Sequence, residues 1–205
     1  MTDNDRRLRA DAQINRDRIL DVARAALAAD PEASLNAIAK TAGVGAGTLY
    51  RHFPSREALV VALYRKEIDA LAALAPGLLA EAPPLEAIRS WCVRVAVFGR
   101  IKHGVADLLR AALSDEDSQE TYRLMVGAMT QLLAAGQITG DVRSDADPED
   151  VLVVLAGLWR LPPTPVGEAR AERILAMITR GLTSVGPPDE NDRQDRQQRG
   201  QLDYV

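Results

Sequence analysis

Four hydrogen-bonding residues fall within one short stretch of the chain: Thr48, Tyr50, Arg51 and His52. Hydroxyl, guanidinium and imidazole groups donate hydrogen bonds to phosphate oxygens and to base edges in nucleic acids. The three residues before them, 45–47, are Gly, Ala and Gly, whose small size lets a backbone come close to another surface. This pattern favours a nucleic-acid contact. The same residues also suit an ordinary solvated helix face. The surrounding segments are needed to distinguish these two interpretations.

The polar stretch belongs to a segment with the layout of a helix-turn-helix. Residues 35–53 read LNAIAKTAGVGAGTLYRHF, in which apolar residues recur at i, i+3, i+4 and i+7 from Leu35. This spacing predicts a short helix, which Gly43 and Gly45 then end. A second helix is predicted over residues 46–53. In a helix-turn-helix the second helix enters the major groove of DNA.

The second helix is predicted to have two unlike faces. At 100° per residue, Ala46, Leu49 and Phe53 lie together, and we expect them to face the core. The opposite face carries small and polar residues: Gly47, Thr48, Arg51 and His52, with Tyr50 on the boundary. That opposite face is the predicted DNA-contacting surface.

Helices are predicted on both sides of this motif. A first helix over residues 15–29 would buttress it, and a fourth over residues 56–74, capped by Ser55, is long enough to bridge two domains. Residues 1–13 are predicted to form a flexible arm. Such an arm either frays in solvent or contacts the minor groove.

Residues 15–66 resemble the N-terminal DNA-binding domain of the TetR family of transcriptional regulators. The resemblance rests above all on the stretch IAKTAGVGAGTLYRHFPSREALV. The family pairs a long first helix with the helix-turn-helix, a Tyr-x-His-Phe ending and a following helix that begins here with Ser-Arg-Glu-Ala-Leu. The resemblance implies DNA contacts at four positions: Gly47, Thr48, Tyr50 and His52.

The complete set of expected DNA contacts also includes residues beyond those four. Arg51 is added because it shares the outer face of the helix. Lys40, Thr41 and Arg56 are added as secondary phosphate contacts. The expected contacts are Lys40, Thr41, Gly45, Ala46, Gly47, Thr48, Tyr50, Arg51, His52 and Arg56.

The distribution of charge supports this end of the chain as the DNA-binding part. The whole chain has a net charge of −4, which is unusual for a DNA-binding protein. Residues 1–66, however, hold 11 Lys and Arg against 8 Asp and Glu, a net charge of +3. Residues 67–205 hold 14 against 21, a net charge of −7. The modest positive excess predicts weak binding by one copy and a need for a dimer.

The composition predicts an all-α protein, since Ala, Leu and Arg are abundant and only 4% of residues are aromatic. We expect a three-helix helix-turn-helix domain over residues 14–66. A C-terminal helical domain for ligand binding and dimerisation is expected over residues 67–186, including a helix over 119–135. Residues 187–205 are charged and poor in apolar residues, and are predicted to be a disordered tail.

Two apolar helices, over residues 148–161 and 168–182, are candidates for dimerisation. The resemblance implies that they form a four-helix contact with a second copy. The expected interface residues are Val151, Val154, Leu155, Leu158, Ile174, Leu175, Ile178 and Leu182. The nearly continuous apolar surface of residues 151–159 suits a helix buried on two sides. A central core helix of a monomer would have the same pattern.

The resemblance also implies an unidentified small-molecule effector among the middle helices. The candidate contacts are Trp91, Cys92, Phe98, His103, Tyr122, Met125, Met129 and Trp159. Each of them also suits a packed core. Met125 and Met129, one helical turn apart, fit either a core or an adaptable apolar pocket.

Other functions lack the residues that they need. Cys92 is the only cysteine, so no intramolecular disulfide forms, and two histidines and one cysteine make no usual transition-metal site. The glycines at 43–47 follow a predicted helix rather than a strand and lack the Lys-Ser/Thr ending of a phosphate-binding loop. With neither a signal peptide nor a membrane span, a cytoplasmic protein without a membrane partner is expected.

The sequence therefore predicts a homodimeric, ligand-responsive regulator. We expect a repressor that binds a palindromic double-stranded DNA operator and is released by a small molecule, with no cofactor and no enzymatic activity. Two alternatives are a helical scaffold for protein interactions and a helical enzyme of unrecognised type, both without DNA binding.

Overall fold

The computed structural model describes residues 3–162 and 164–184, and side chains within them except those of residues 3–10 and 100–104. The all-α prediction is confirmed, because the described residues form nine α-helices, one 3-10 turn at Leu158–Arg160 and one isolated β-bridge. The helices are α1 Asp3–Ala29, α2 Leu35–Thr41, α3 Ala46–His52, α4 Arg56–Glu81, α5 Pro84–Gly104, α6 Ala106–Ala112, α7 Asp115–Thr139, α8 Pro148–Gly157 and α9 Pro165–Leu182. In this described part of the chain, no helix combines the length and the apolar content needed to cross a membrane.

Helix α1 begins earlier than the sequence pattern predicts. The flexible arm expected over residues 1–13 is wrong from Asp3 onward, because these residues belong to α1. Residues 6–10 are Arg, Arg, Leu, Arg and Ala, all of which favour helix, so intrinsic propensity extends α1 beyond its apolar stripe. The tail expected over residues 187–205 lies outside the described residues.

Helix α4 is also longer than predicted. It continues through Pro76 to Glu81, although the proline predicts a stop near residue 74. Proline removes one backbone hydrogen bond inside a helix. Ala75 and Leu78, on either side of the proline, are buried in the core. Burial of apolar side chains therefore maintains the helix across the proline.

Helix α7 extends beyond the predicted range of residues 119–135 at both ends. Ser114 caps its start, accepting a hydrogen bond from a backbone N–H three residues on at 3.1 Å. Gly140 ends it in the left-handed conformation, with φ of 79°. Gly136, the first residue beyond the predicted range, stays inside the helix.

Helix α4 connects the N-terminal helices with the rest of the chain. It packs against α1, α5, α6 and α7. Midway along it, Arg65 forms an ion pair with Asp117 on α7. The next residue, Lys66, lies 2.8 Å from Asp21 on α1, measured between Nζ and Oδ1. The orientation of α4 is thus coupled to both parts of the protein.

Close packing fixes α5 against its neighbours. The buried Trp91 donates from Nε1 to the carbonyl of Leu71 on α4 at 2.8 Å. Farther along α5, the ring of Trp159 lies against Gly99, where an added Cβ would be 1.8 Å from Trp159 Cδ1. Gly99 is therefore a position at which the fold itself requires glycine.

Candidate nucleic-acid interface

The turn between α2 and α3 has the geometry that its glycine predicts. Gly43 adopts φ of 65°, in the left-handed region that glycine favours. Its N–H donates to Lys40 O at 3.1 Å, and the N–H of Val44 donates to Ala39 O at 3.0 Å. This hydrogen-bond pair is the Schellman ending of a helix. The sequence therefore fixes the angle at which α3 leaves α2.

The inner face of α3 is formed by two of the three residues predicted for it. Leu49 and Phe53 are 0% and 1% exposed and join the core under α1 and α2. Ala46 does not face inward as predicted, because the structure leaves it exposed. As the first residue of α3, Ala46 lies beyond the part of the core that Leu49 fills. Its exposure is compatible with its other expected role as a contact to DNA.

The ring of Phe53 has a neighbour that the sequence pattern does not reveal. The guanidinium carbon of Arg16, on α1, lies 5.2 Å from the ring centroid of Phe53. A cation over an aromatic face is favourable. Through this contact, Arg16 stabilises the position of Phe53, which directly follows α3. No local pattern indicates this role, since the two residues are far apart in sequence.

The outer surface of the motif presents the polar residues predicted for it. Lys40, Thr41, Tyr50 and Arg51 are exposed, whereas Thr48 and His52 are half-buried. These residues belong to two consecutive helices that the turn holds in a fixed arrangement. The structure therefore leaves these six predicted DNA contacts wholly or partly accessible to solvent.

Arg56 is the exception among the predicted phosphate contacts. Its guanidinium donates from Nη1 to Ala33 O at 2.6 Å and from Nη2 to Pro31 O. Both acceptors belong to the loop between α1 and α2. The side chain is half-buried and directed at the protein's own backbone.

The two glycines around the start of α3 have no packing role within the chain. A Cβ added at Gly45 or Gly47 meets no heavy atom within 4 Å. Neither residue has a positive φ. Gly47 is the second residue of α3, where glycine favours the helix less than alanine does, by at most about 1 kcal/mol. The fold therefore supplies no reason for glycine at this position.

The start of α4, next to the end of α3, is held by a local cap. Ser55 Oγ accepts a hydrogen bond from Ala58 N at 3.2 Å. A hydrogen bond with the Ser55 side chain also holds the pKa of the Glu57 carboxyl below its ordinary value. Glu57 thus remains ionised at the positive end of the helix dipole. Arg56, between these two residues, is thereby given a fixed backbone position.

The predicted dimer residues divide between the core and the surface. Five are buried within the chain's own core: Val151, Leu155, Leu158, Leu175 and Leu182. Ile174 and Ile178 are half-buried, and Val154 is 50% exposed. Those five residues therefore do not lie on the outer surface of α8 and α9.

Three apolar residues that are absent from the list of expected interface residues are more exposed than Val154. They are Val153 on α8, and Val166 and Met177 on α9, with exposed fractions of 68%, 70% and 64%. The nearly continuous apolar pattern of residues 151–159 does not by itself distinguish the two faces of α8. Once the buried face of each helix is known, these three residues are seen to lie away from it.

Most of the predicted effector contacts are packed in the core. Trp91, Cys92, Phe98, Met125 and Met129 are buried, and the cavity beside Phe98 has a volume of only about 10 Å³. That is room for about one water molecule.

Tyr122 and Trp159 are not among the residues that line the cavity beside Phe98. Tyr122 is exposed, with its hydroxyl 3.3 Å from Glu149 Oε2. Trp159 packs on Gly99. The His103 side chain lies outside the described residues. A larger space lies elsewhere, in an open groove of about 860 Å³ between α5 and α9.

Comparison with known proteins identifies both parts of the chain. A family model described as "Bacterial regulatory proteins, tetR family" matches residues 19–63. A second, described as "Transcriptional regulator SbtR-like, C-terminal domain", matches residues 83–184. The first match contains the whole helix-turn-helix. The second contains all of α5 to α9.

Solved structures of TetR regulators are similar to this protein along most of its chain. The TetR transcriptional regulator SCO0520 from Streptomyces coelicolor is 40% identical, with a TM-score of 0.74, over 83% of this chain and 99% of that one. The TetR transcription regulatory protein from Mycobacterium vanbaalenii is 33% identical, with a TM-score of 0.69, over 86% and 99%.

A curated relative matches over a shorter region. The HTH-type transcriptional regulator SAR0097 of Staphylococcus aureus (strain MRSA252) is 38% identical over 84 residues, which are 40% of this chain and 44% of that protein. The matched region thus spans less than half of the relative. The family and the fold are those of transcriptional regulators rather than enzymes. Helix-turn-helix geometry, family models and structural relatives that cover more than four fifths of the chain agree, and the chain belongs to the TetR family of bacterial transcriptional regulators.

Proposed function

We propose that this protein is a homodimeric repressor that inserts α3 into the major groove of a palindromic DNA operator and is released by a small molecule. Thr48, Tyr50, Arg51 and His52 contact bases and phosphates, and Lys40 and Thr41 contact the flanking phosphates. In the cytoplasm, such a repressor has direct access to its operator.

Gly47 is the observation that carries this proposal. A glycine inside a seven-residue helix weakens that helix, and an added Cβ at this position meets nothing within the chain. Close approach of an external surface accounts for the missing side chain. The neighbouring donors Thr48 and Arg51 suit a surface of phosphates and base edges.

The second copy docks on the outer faces of α8 and α9. Val153, Val154, Val166 and Met177 form the exposed apolar part of these helices, and burying them in a dimer removes that area from water. Half-buried Ile174 lies beside Met177 on α9 and extends the surface. A twofold axis through this contact presents two copies of α3 to half-sites about one DNA turn apart.

The effector binds in the groove between α5 and α9. Its volume of about 860 Å³ is in the range of small-molecule sites, and Val93, Val97, Ala171 and Leu175 give it an apolar lining. The packed residues around Trp91 leave no comparable space beside Phe98.

A thermal-shift screen of apolar metabolites is the first measurement of effector binding, since a ligand stabilises the state that it binds. Val97→Trp would fill the groove and is expected to abolish the stabilisation, and an unchanged response would place the ligand elsewhere.

The test of DNA binding uses the whole 205-residue chain. Fragments of bacterial chromosomal DNA captured by the wild-type protein are measured against a variant carrying Thr48→Ala, Arg51→Ala and His52→Ala. We expect the variant to retain its helical content and lose nearly all sequence-selective binding. Equal binding by the variant would contradict the assignment of this face to DNA.

A further inference from the structure

Arg56 connects the start of α4 to the loop that precedes the helix-turn-helix. It is the first residue of α4, and its backbone is set by the Ser55 cap. From there the guanidinium reaches Ala33 O at 2.6 Å through Nη1 and Pro31 O through Nη2. The planar fork of an arginine presents two donors at fixed spacing, which suits two nearby carbonyls. The contact therefore joins segments that are 23 and 25 residues apart in sequence.

The loop that Arg56 holds is itself tightly turned. Asp30 closes the turn twice, with its Oδ1 accepting from Glu32 N at 2.9 Å and its carbonyl accepting from Ala33 N at 3.0 Å. Ser34 follows at once and caps α2, accepting from Ala37 N at 3.2 Å. Since the turn and the cap are consecutive, the position of the loop sets the position at which α2 begins.

The constraint extends from α2 to α3. The Schellman turn at Gly43 fixes α3 relative to α2, and Leu49 anchors α3 in the core. A shift of the loop at residues 30–34 would therefore carry α2 and α3 with it. DNA contacts are sensitive to such shifts because hydrogen bonds to bases weaken steeply with distance and angle.

We propose that Arg56 is a positioning residue for DNA binding, which acts by holding the carbonyls of Pro31 and Ala33 and thereby fixing α2 and α3 relative to α4. The inference rests on the proposed function. It differs from the sequence-based expectation that Arg56 contacts a phosphate, and the two roles predict different salt dependence.

The first experiment measures the free protein and needs no DNA. Hydrogen exchange followed by mass spectrometry compares the wild type with Arg56→Gln and Arg56→Lys. We expect peptides from residues 31–41 to exchange several times faster in Arg56→Gln, while peptides from residues 60–75 are unchanged. Lysine has one ammonium in place of the fork, so Arg56→Lys should restore protection only in part. Unchanged exchange at residues 31–41 in Arg56→Gln would overturn the proposal.

The second experiment separates positioning from phosphate contact. The probe is a duplex that the wild-type protein selects from a random-sequence library, and its affinity is measured over a range of salt concentrations. We expect Arg56→Gln to lose about tenfold in affinity with an unchanged salt slope, whereas loss of a phosphate contact lowers the slope by roughly one. A lowered slope, or an unchanged affinity, would overturn the positioning role.

The same measurements distinguish this proposal from the proposed function. If the wild-type protein selects no duplex, DNA binding itself is contradicted. If it selects one and Arg56→Gln binds it as tightly as the wild type, only the role of Arg56 is contradicted. Arg123→Gln, an exposed arginine on α7, is the matched control and should change neither exchange at residues 31–41 nor affinity.

Discussion

Arg51 donates a hydrogen bond from Nη2 to Thr48 Oγ1 at 3.1 Å, across one turn of α3. Residues three apart lie on the same side of a helix, so this bond holds the guanidinium beside the exposed part of α3. The cation is thereby pre-oriented before any partner arrives. Pre-orientation reduces the conformational entropy that is lost on binding.

Replacing Arg51 by glutamine should weaken operator binding roughly tenfold, and should lower the salt slope by about one if the lost contact is to phosphate. The measurement is fluorescence anisotropy with a selected duplex at several salt concentrations. Arg123→Gln removes the same charge from α7, far from α3 in the chain, and serves as the control. Equal losses in both variants would show that overall charge, rather than the position of Arg51, determines affinity.

Replacing Gly47 by alanine should separate stability from binding. We expect the free energy of unfolding to rise by at most about 1 kcal/mol, because alanine favours helix and its Cβ meets nothing within the chain. Operator affinity should fall by about tenfold or more, because the methyl group occupies the space that DNA approaches. Denaturant unfolding and anisotropy give the two quantities.

The matched control for that variant is Gly127→Ala. Gly127 is exposed within α7, and a Cβ there also meets nothing within 4 Å. The Gly127→Ala variant should show a similar rise in the free energy of unfolding, with no change in its affinity for the operator. If Gly47→Ala binds DNA as tightly as this control, the close approach at Gly47 is refuted.

Charges on the outer faces of α8 and α9 should separate the two copies. Val153→Asp together with Met177→Asp places carboxylates on the proposed apolar contact, where burial of a charge is costly. Sedimentation velocity should then give the mass of a monomer. Ile138→Asp, at an exposed apolar residue of α7, should leave the dimer intact. A dimer that survives the double substitution would require another interface.

Cys92 should report on the packing of α5. Burial raises the pKa of its thiol from 9.0 to about 12, so very little reactive thiolate is present at pH 8. Labelling by a thiol reagent should be slow in the native protein and fast in denaturant. Because the thiolate forms more readily in the unfolded chain, the contribution of this group to stability should be lost as pH rises from about 9 to 12. Rapid native labelling would show that this region of the core is open.

The sequence predicted the parts of the site that depend on local pattern. The left-handed Gly43 and the buried pair Leu49 and Phe53 follow from helical periodicity and turn chemistry. Ala46 was placed on the wrong face because angular periodicity does not show where the core ends. The helix through Pro76 was missed because burial outweighed a local breaking signal.

Local sequence patterns do not predict contacts between segments that are far apart in the chain. Nothing in the residues around Arg56 indicates that its guanidinium reaches the carbonyls of Pro31 and Ala33, since that contact depends on how α1 and α4 pack. The outer apolar residues Val153 and Met177 likewise became distinct only when the structure identified the buried sides of their helices.

The proposed function requires a twofold dimer that presents two α3 helices to DNA. Its most direct test is selection of duplexes from a random-sequence library by the wild-type protein, followed by sequencing. We expect an inverted repeat whose half-sites are centred about 10 base pairs apart, and loss of its enrichment with Gly47→Ala. An enriched sequence without twofold symmetry, or no enrichment at all, would contradict it.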